Sequence, residues 1–149
     1  VIELEHSLEV DRPAVAAFDF LARPERFPEW QPGIRSVERT SSGPIGQGST
    51  YAIVVEGPGG VTVHADGRVV VWDPPHSVEI EGASSLLRLD GSYLVEPRGP
   101  DACEVRIRTR LQPLGFLRFM EGRIRRELEA ELPSTLQRLR AAIEAEPEP

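Results

Sequence analysis

Apolar and polar residues alternate over residues 2–10. Ile2, Leu4, His6, Leu8 and Val10 fall on one side and Glu3, Glu5, Ser7 and Glu9 on the other. A period of two marks a β-strand with one buried face. The period then changes. In DRPAVAAFDFLA, Val15, Phe18 and Leu21 recur every three residues behind Pro13, which suits the first turn of a helix. RPERFPEW predicts a second, short helical turn ending at Trp30, and the chain then climbs through IRSVERTSS into another strand. Further strands are predicted near 48–56, 60–72, 77–82, 85–96 and 102–111, separated by Gly, Pro or Asp. Connections this short join antiparallel neighbours. The last strand is the clearest: Cys103, Val105, Ile107, Thr109 and Leu111 point one way, and Glu104, Arg106, Arg108 and Arg110 the other. One face is core and the other meets water.

The segment 60–72 breaks parity. Val61, Val63 and Ala65 are odd-numbered, whereas the later bulky pair, Val70 and Trp72, is even-numbered. One extra residue at Asp66–Gly67 restores a single apolar face, so a β-bulge is expected there. The chain closes on a helical pattern over 113–145. Leu117, Met120, Ile124, Leu128, Leu132, Leu136, Leu139 and Ile143 step by three or four along one stripe. Glu121 with Arg125, Arg123 with Glu127, and Arg125 with Glu129 are i,i+4 pairs for the wet side. Pro133 has no N–H for the carbonyl of Glu129, and a kink is expected there. The order is strand, two short helices, about six strands and one long helix. That order predicts an α+β fold with the helices grouped on one face of an antiparallel sheet. A twisted, bulged sheet curves, and one helix across its concave side leaves a gap, a candidate pocket lined by inward-facing apolar side chains. A single domain over 1–145 and a flexible, solvated tail over 146–149 are expected.

Composition narrows the chemistry. The chain has 149 residues, 40% of them hydrophobic and 28% charged, the profile of one globular domain. A net charge of −7 disfavours nucleic acid and anionic lipid surfaces as partners. All 17 basic residues are Arg, so neither Schiff-base chemistry nor a P-loop lysine is available. The single cysteine, Cys103, excludes an internal disulfide. There is no apolar run long enough for a membrane span and no signal-peptide layout at the N-terminus, so a cytoplasmic location is expected.

GPIGQGSTY places Gly43, Gly46 and Gly48 close together. A dinucleotide fingerprint needs a helix after its glycines, because the helix N-terminus meets the pyrophosphate. Here a strand pattern follows, the spacing is reversed, and no G-K-[ST] is present. The glycines therefore read as a turn. FPEWQPGIRSVE, GPIGQGSTY, VVVWDPPHSVEI, GSYLVEP and the closing helix, in that order, resemble the polyketide cyclase/dehydrase branch of the START-like superfamily over residues 3–144. That superfamily includes birch-pollen-allergen-like and lipid-transfer proteins. The resemblance implies a helix-grip fold: a seven-stranded curved antiparallel sheet wrapped around the C-terminal helix, with a hydrophobic cavity between them. It implies no single activity, because family members bind, cyclise or dehydrate different compounds.

The three histidines, His6, His64 and His76, stand at no metal-ligand spacing, so no metal site is expected, and no cofactor is implied. His6 reads as a hydrogen-bonded core histidine, His64 as outward-facing and His76 as an exposed turn residue. Cys103 reads as a buried, inert thiol. No G-x-S-x-G elbow occurs. The residues expected to line the cavity are Trp30, Tyr51, Ile53, Val63, Trp72 and Ile80, with Leu87, Tyr93, Ile107, Phe116, Met120 and Ile124; Phe119 is a further aromatic candidate. The weak catalytic candidates are Tyr51, Tyr93 and Glu121, the two phenols because a buried hydroxyl needs a partner and Glu121 because it falls within the apolar stripe. The leading reading is binding of a hydrophobic or aromatic small molecule. A polyketide cyclase or dehydratase and a protein-interaction module resembling chaperone-ATPase activators are the alternatives. A homodimer is compatible with the sequence.

Overall fold

In the computed structural model, which describes residues 1–146, the first alternating segment is strand β1 (Ile2–Val10). Helix α1 (Ala14–Leu21) and a 3-10 segment (Pro24–Glu29) come next. Six strands follow: β2 (Ile34–Arg39), β3 (Thr50–Glu56), β4 (Thr62–Asp73), β5 (Ser77–Ala83), β6 (Leu87–Pro97) and β7 (Cys103–Pro113). A 3-10 segment (Gly115–Met120) leads into the long helix α2 (Glu121–Glu144). All seven strands form one antiparallel sheet in the order β1-β7-β6-β5-β4-β3-β2. Because β1 and β2 are opposite edges, the two short helices between them carry the chain across the sheet.

The closing helix starts later than the sequence pattern suggests. Pro113 ends β7, paired with Leu87, and the stretch to Met120 is 3-10. Helix α2 then runs through Pro133 to Glu144. Of the tail expected over 146–149, Glu146 is an ion-pair partner of Arg26, and 147–149 lie outside the described residues.

The bulge in β4 is real but lies further along. Gly67 is in register with both neighbours, Tyr51 on β3 and Gly82 on β5, and the slip falls between Val69 and Val71. Val63, Ala65, Gly67 and Val69 are all buried, so parity changes only at Val70. Gly67 has a different role. A Cβ there would stand 2.6 Å from Ile53 Cδ1, and one at Gly82 would stand 2.6 Å from Leu89 Cδ1. These facing glycines let Ile53 and Leu89 lie over the sheet floor. A second register slip, between Ile34 and Ser36, breaks the β2 edge. Bulges of this kind bend and coil a sheet.

The outer face of the sheet is ionic. Glu3 and Glu5 stand opposite Arg110 and Arg108 in the β1–β7 register, with ion pairs of 3.6 and 3.4 Å. Such exposed pairs contribute little stability. The inner face holds two separate apolar clusters. The larger includes Leu139 and Ile143 of α2 with α1 and the middle of the sheet. The smaller joins Leu117 to Val63 and Leu87. Helix α2 is therefore docked near its C-terminus, and the 3-10 segment before it is docked at the other end of the sheet. Between the two anchors, Ile124, Leu128, Leu132 and Leu136 remain only half-buried.

A candidate ligand cavity

The span between the anchors covers a cavity of about 490 Å³. Its roof is the α2 stripe of Ile124, Leu128, Leu132, Thr135 and Leu136. Its floor comes from alternate, inward-pointing strand positions, among them Leu4, Ile53, Ile80, Leu89, Ile107 and Thr109. Gly91 widens the floor where β6 meets Thr109 of β7. One end is closed by aromatic rings. Phe27, Trp30 and Tyr93 all line the cavity and pack edge-on or tilted, with ring centroids 5.6–6.1 Å apart. The lining residues that reach solvent include Gly33, Arg35, Glu56, Glu127 and Glu131, and they mark a mouth between α2 and the β2–β3 edge. Arg35 is paired with Glu56 at 3.2 Å and Glu127 with Arg123 at 3.0 Å. Glu131 makes no ion pair among the described residues, so the rim is acidic on balance.

Tyr93 is the main polar feature of the interior. Its side chain leans along the strand over Gly91, where a Cβ would come within 2.8 Å of the hydroxyl. Gln31, just after the first 3-10 segment, donates from Nε2 to Tyr93 Oη at 2.8 Å. Burial pushes the Tyr93 pKa well above the ordinary phenol range, and the Gln31 hydrogen bond opposes this only in part. The group is therefore a neutral hydrogen-bond donor at any physiological pH. His6 also lines the cavity, half-buried, and no hydrogen bond to its ring is found among the described residues. It is a wall residue where the sequence suggested a hydrogen-bonded core histidine.

The structure divides the residues named from sequence. Trp30, Ile53, Val63, Ile80, Leu87, Tyr93, Ile107 and Ile124 all line the cavity. Tyr51, Trp72, Phe116 and Met120 do not. Tyr51 is fully buried in the main core, where its hydroxyl lacks a partner among the described residues. Burial first, then the Glu25 charge, raises its pKa, while Arg39 opposes them. Trp72 follows the β4 bulge and packs edge-on against Phe18 of α1, with centroids 5.5 Å apart. Phe116 and Phe119 are 53% and 79% exposed, because the 3-10 segment turns only Leu117 inward. Met120 packs on the small cluster at that end.

Glu121 is outside the cavity. Its carboxylate lies 2.9 Å from the Val1 amino group and 3.8 Å from Arg125, and these cations hold its pKa below the usual carboxylate range. Cys103 is buried, and its thiol pKa is raised by that burial. His64 and His76 are exposed. Among the described residues no group of three His, Cys, Asp or Glu side chains could hold a metal ion, and no helix is long and apolar enough to cross a membrane. The glycines of 43–48 form the loop before β3. Gly43 and Gly48 adopt positive φ, and the Gly48 N–H donates to the Val69 carbonyl. That loop is a turn tied to the sheet.

Gln31, Leu128, Leu132 and Thr109 are lining residues that sequence reasoning does not single out. Leu128 and Leu132 belong to the α2 stripe, but spacing alone does not separate a cavity roof from ordinary core. Gln31 sits in WQPG, where no periodicity reveals its direction.

A curved seven-stranded antiparallel sheet gripping a long C-terminal helix over an apolar cavity is the START-like, helix-grip class of protein. The chain belongs to the family described as polyketide cyclase / dehydrase and lipid transport, whose pattern matches residues 1–144. No curated protein matches the sequence. Solved structures share the fold at low identity. A START superfamily protein from Mycobacterium smegmatis aligns with a TM-score of 0.71 and 15% identity, covering 95% of this chain and 97% of that one. The Zhui aromatase/cyclase from Streptomyces sp. R1128 aligns at 0.72 and 14%, covering 96% and 93%. The di-domain aromatase/cyclase BexL from the BE-7585A biosynthetic pathway aligns at 0.65 and 16%; the alignment covers 98% of this chain and 51% of that one, so the chain spans about half of it. The family supports a hydrophobic-ligand-binding fold, and the neighbours share its architecture.

Proposed function

We propose that the protein binds an uncharged hydrophobic or aromatic small molecule between the sheet and α2. The observation that carries this reading is the pair of anchors, Leu117 in the 3-10 segment before α2 and Leu139 with Ile143 near the end of α2, which leave a half-buried apolar stripe over a cavity of about 490 Å³. Burial of a ligand against that stripe contributes about 25 cal/mol per Å² of apolar surface removed from water. An interaction module would need no such space. Catalysis is the weaker reading. General acid–base chemistry needs positioned groups that converge on the reacting atoms. Burial pushes Tyr93 away from the working range, and the ring of His6, also in the wall, has no hydrogen-bond partner among the described residues to orient it.

The test is a fluorescence titration with two probes on one skeleton. N-phenyl-1-naphthylamine is neutral, and 8-anilinonaphthalene-1-sulfonate carries a sulfonate. The neutral probe is expected to bind at a single saturable site with enhanced emission. The sulfonate is expected to bind more weakly, and Glu131→Gln to improve its affinity roughly two- to fivefold, the scale of one exposed charge interaction. No saturable binding of the neutral probe would overturn the reading.

A further inference from the structure

Two ring donors, an indole N–H and a phenol O–H, meet at the aromatic end of the cavity. Trp30 is 3% exposed, and its Nε1–H meets no acceptor among the described residues. Tyr93 is also 3% exposed, and its oxygen already accepts from Gln31 Nε2 at 2.8 Å. That bond uses the phenol oxygen as acceptor and leaves the phenol proton free to be donated. A hydroxyl that accepts one hydrogen bond becomes a better donor in the next. The indole and phenol rings touch, with centroids 5.9 Å apart, and Trp30, Gln31, Gly91 and Tyr93 all line the cavity. Buried donors are almost always paired in folded proteins, and an unpaired one calls for a physical reason.

From this we infer that the Phe27–Trp30–Tyr93 end is a subsite for an uncharged oxygen acceptor, such as a ketone, ester or ether oxygen, which accepts from the Tyr93 hydroxyl beside the Trp30 indole. The inference rests on the cavity being a ligand site and adds which end of the ligand enters first. Gly91 is part of the device. A side chain there would displace the Tyr93 hydroxyl, because a Cβ would stand 2.8 Å from the oxygen and 3.2 Å from the ring carbon that bears it. The acidic mouth fits the same ligand. Glu56 and Glu127 are paired with Arg35 and Arg123, so a carboxylate would meet the net negative charge that Glu131 adds to the rim, whereas a ketone carries no charge past it. Tyr93 acts here as a ligand-orienting residue. No bond is made or broken.

The test uses 9-fluorenone and fluorene, two tricyclic molecules that differ by one carbonyl oxygen, titrated by calorimetry into the wild-type protein and Tyr93→Phe. The ratio of ketone affinity to hydrocarbon affinity is expected to fall about three- to tenfold in Tyr93→Phe, the size of one hydrogen bond. Fluorene affinity itself is expected to stay within about twofold. Independently of any variant, the carbonyl stretch of fluorenone bound to the wild-type protein is expected at lower frequency than in hexane. An unshifted stretch overturns the inference, and so does an unchanged ratio with both probes still bound. Binding of neither probe by the wild-type protein overturns the cavity reading and this one with it.

Discussion

Replacing Thr109 by Trp is expected to lower the affinity for N-phenyl-1-naphthylamine at least about 100-fold while the protein stays folded. Thr109 lies in the middle of the cavity floor, between Leu4 of β1 and Gly91 of β6. It is only partly buried, so its side chain faces open space and not packed atoms. An indole from this position would extend into the open cavity and would occupy the volume a ligand needs. Large residues forced into filled cores cost about 1–3 kcal/mol. Here the new ring enters a void, and Trp is at home in strands, so thermal stability is expected to hold or rise. Binding is followed by probe fluorescence and folding by circular dichroism. A protein that unfolds, or one that still binds the probe tightly, would mean that the space at Thr109 is not the space that binds.

The second large effect separates the two parts of α2. Leu139→Ala is expected to destabilise the protein by about 2–5 kcal/mol, the range for a fully buried leucine whose cavity does not refill. Leu139 is 0% exposed, in the main cluster. Leu128→Ala, on the cavity-facing part of the same stripe, is expected to cost less than about 1 kcal/mol, because its side chain is only half-buried and borders open volume. At roughly 2–4 °C per kcal/mol for a chain of this size, calorimetry resolves the two clearly. Equal losses would show that the helix packs evenly along its length and that no hollow lies beneath its middle.

Periodicity carries most of the architecture. The alternation in β1 and β7 and the three–four stepping of α2 identify the layers, the faces and the direction of the cavity. The misplacements share a physical cause. In β4 the sequence shows that parity breaks between the odd-numbered Val63 and Ala65 and the even-numbered Trp72, but it does not show where. Glycine is a usual bulge residue, so spacing points to Asp66–Gly67. Gly67 is instead a regular ladder position that a side chain could not fill without moving Ile53.

The aromatic residues are harder to place, because a ring is equally at home in a core, a cavity wall or a surface turn. Tyr51 and Tyr93 both point inward from strands. Only Tyr93 has the space of Gly91 beside it and a partner in Gln31. Phe116 and Phe119 lie off the stripe of Leu117, Ile124 and Leu128 even at helical spacing, and in the 3-10 segment Gly115–Met120 both face solvent. These differences depend on contacts between residues far apart in the chain, which one-dimensional spacing does not encode.

The central claim is tested most directly by methyl-resolved NMR of the protein with N-phenyl-1-naphthylamine. Intermolecular NOEs are predicted from the probe to methyl groups of Ile80, Ile107, Leu128 and Leu132, while those of Leu139 and Ile143 give none. NOEs confined to the exposed Phe116–Phe119 surface, or none to the α2 stripe, would contradict it.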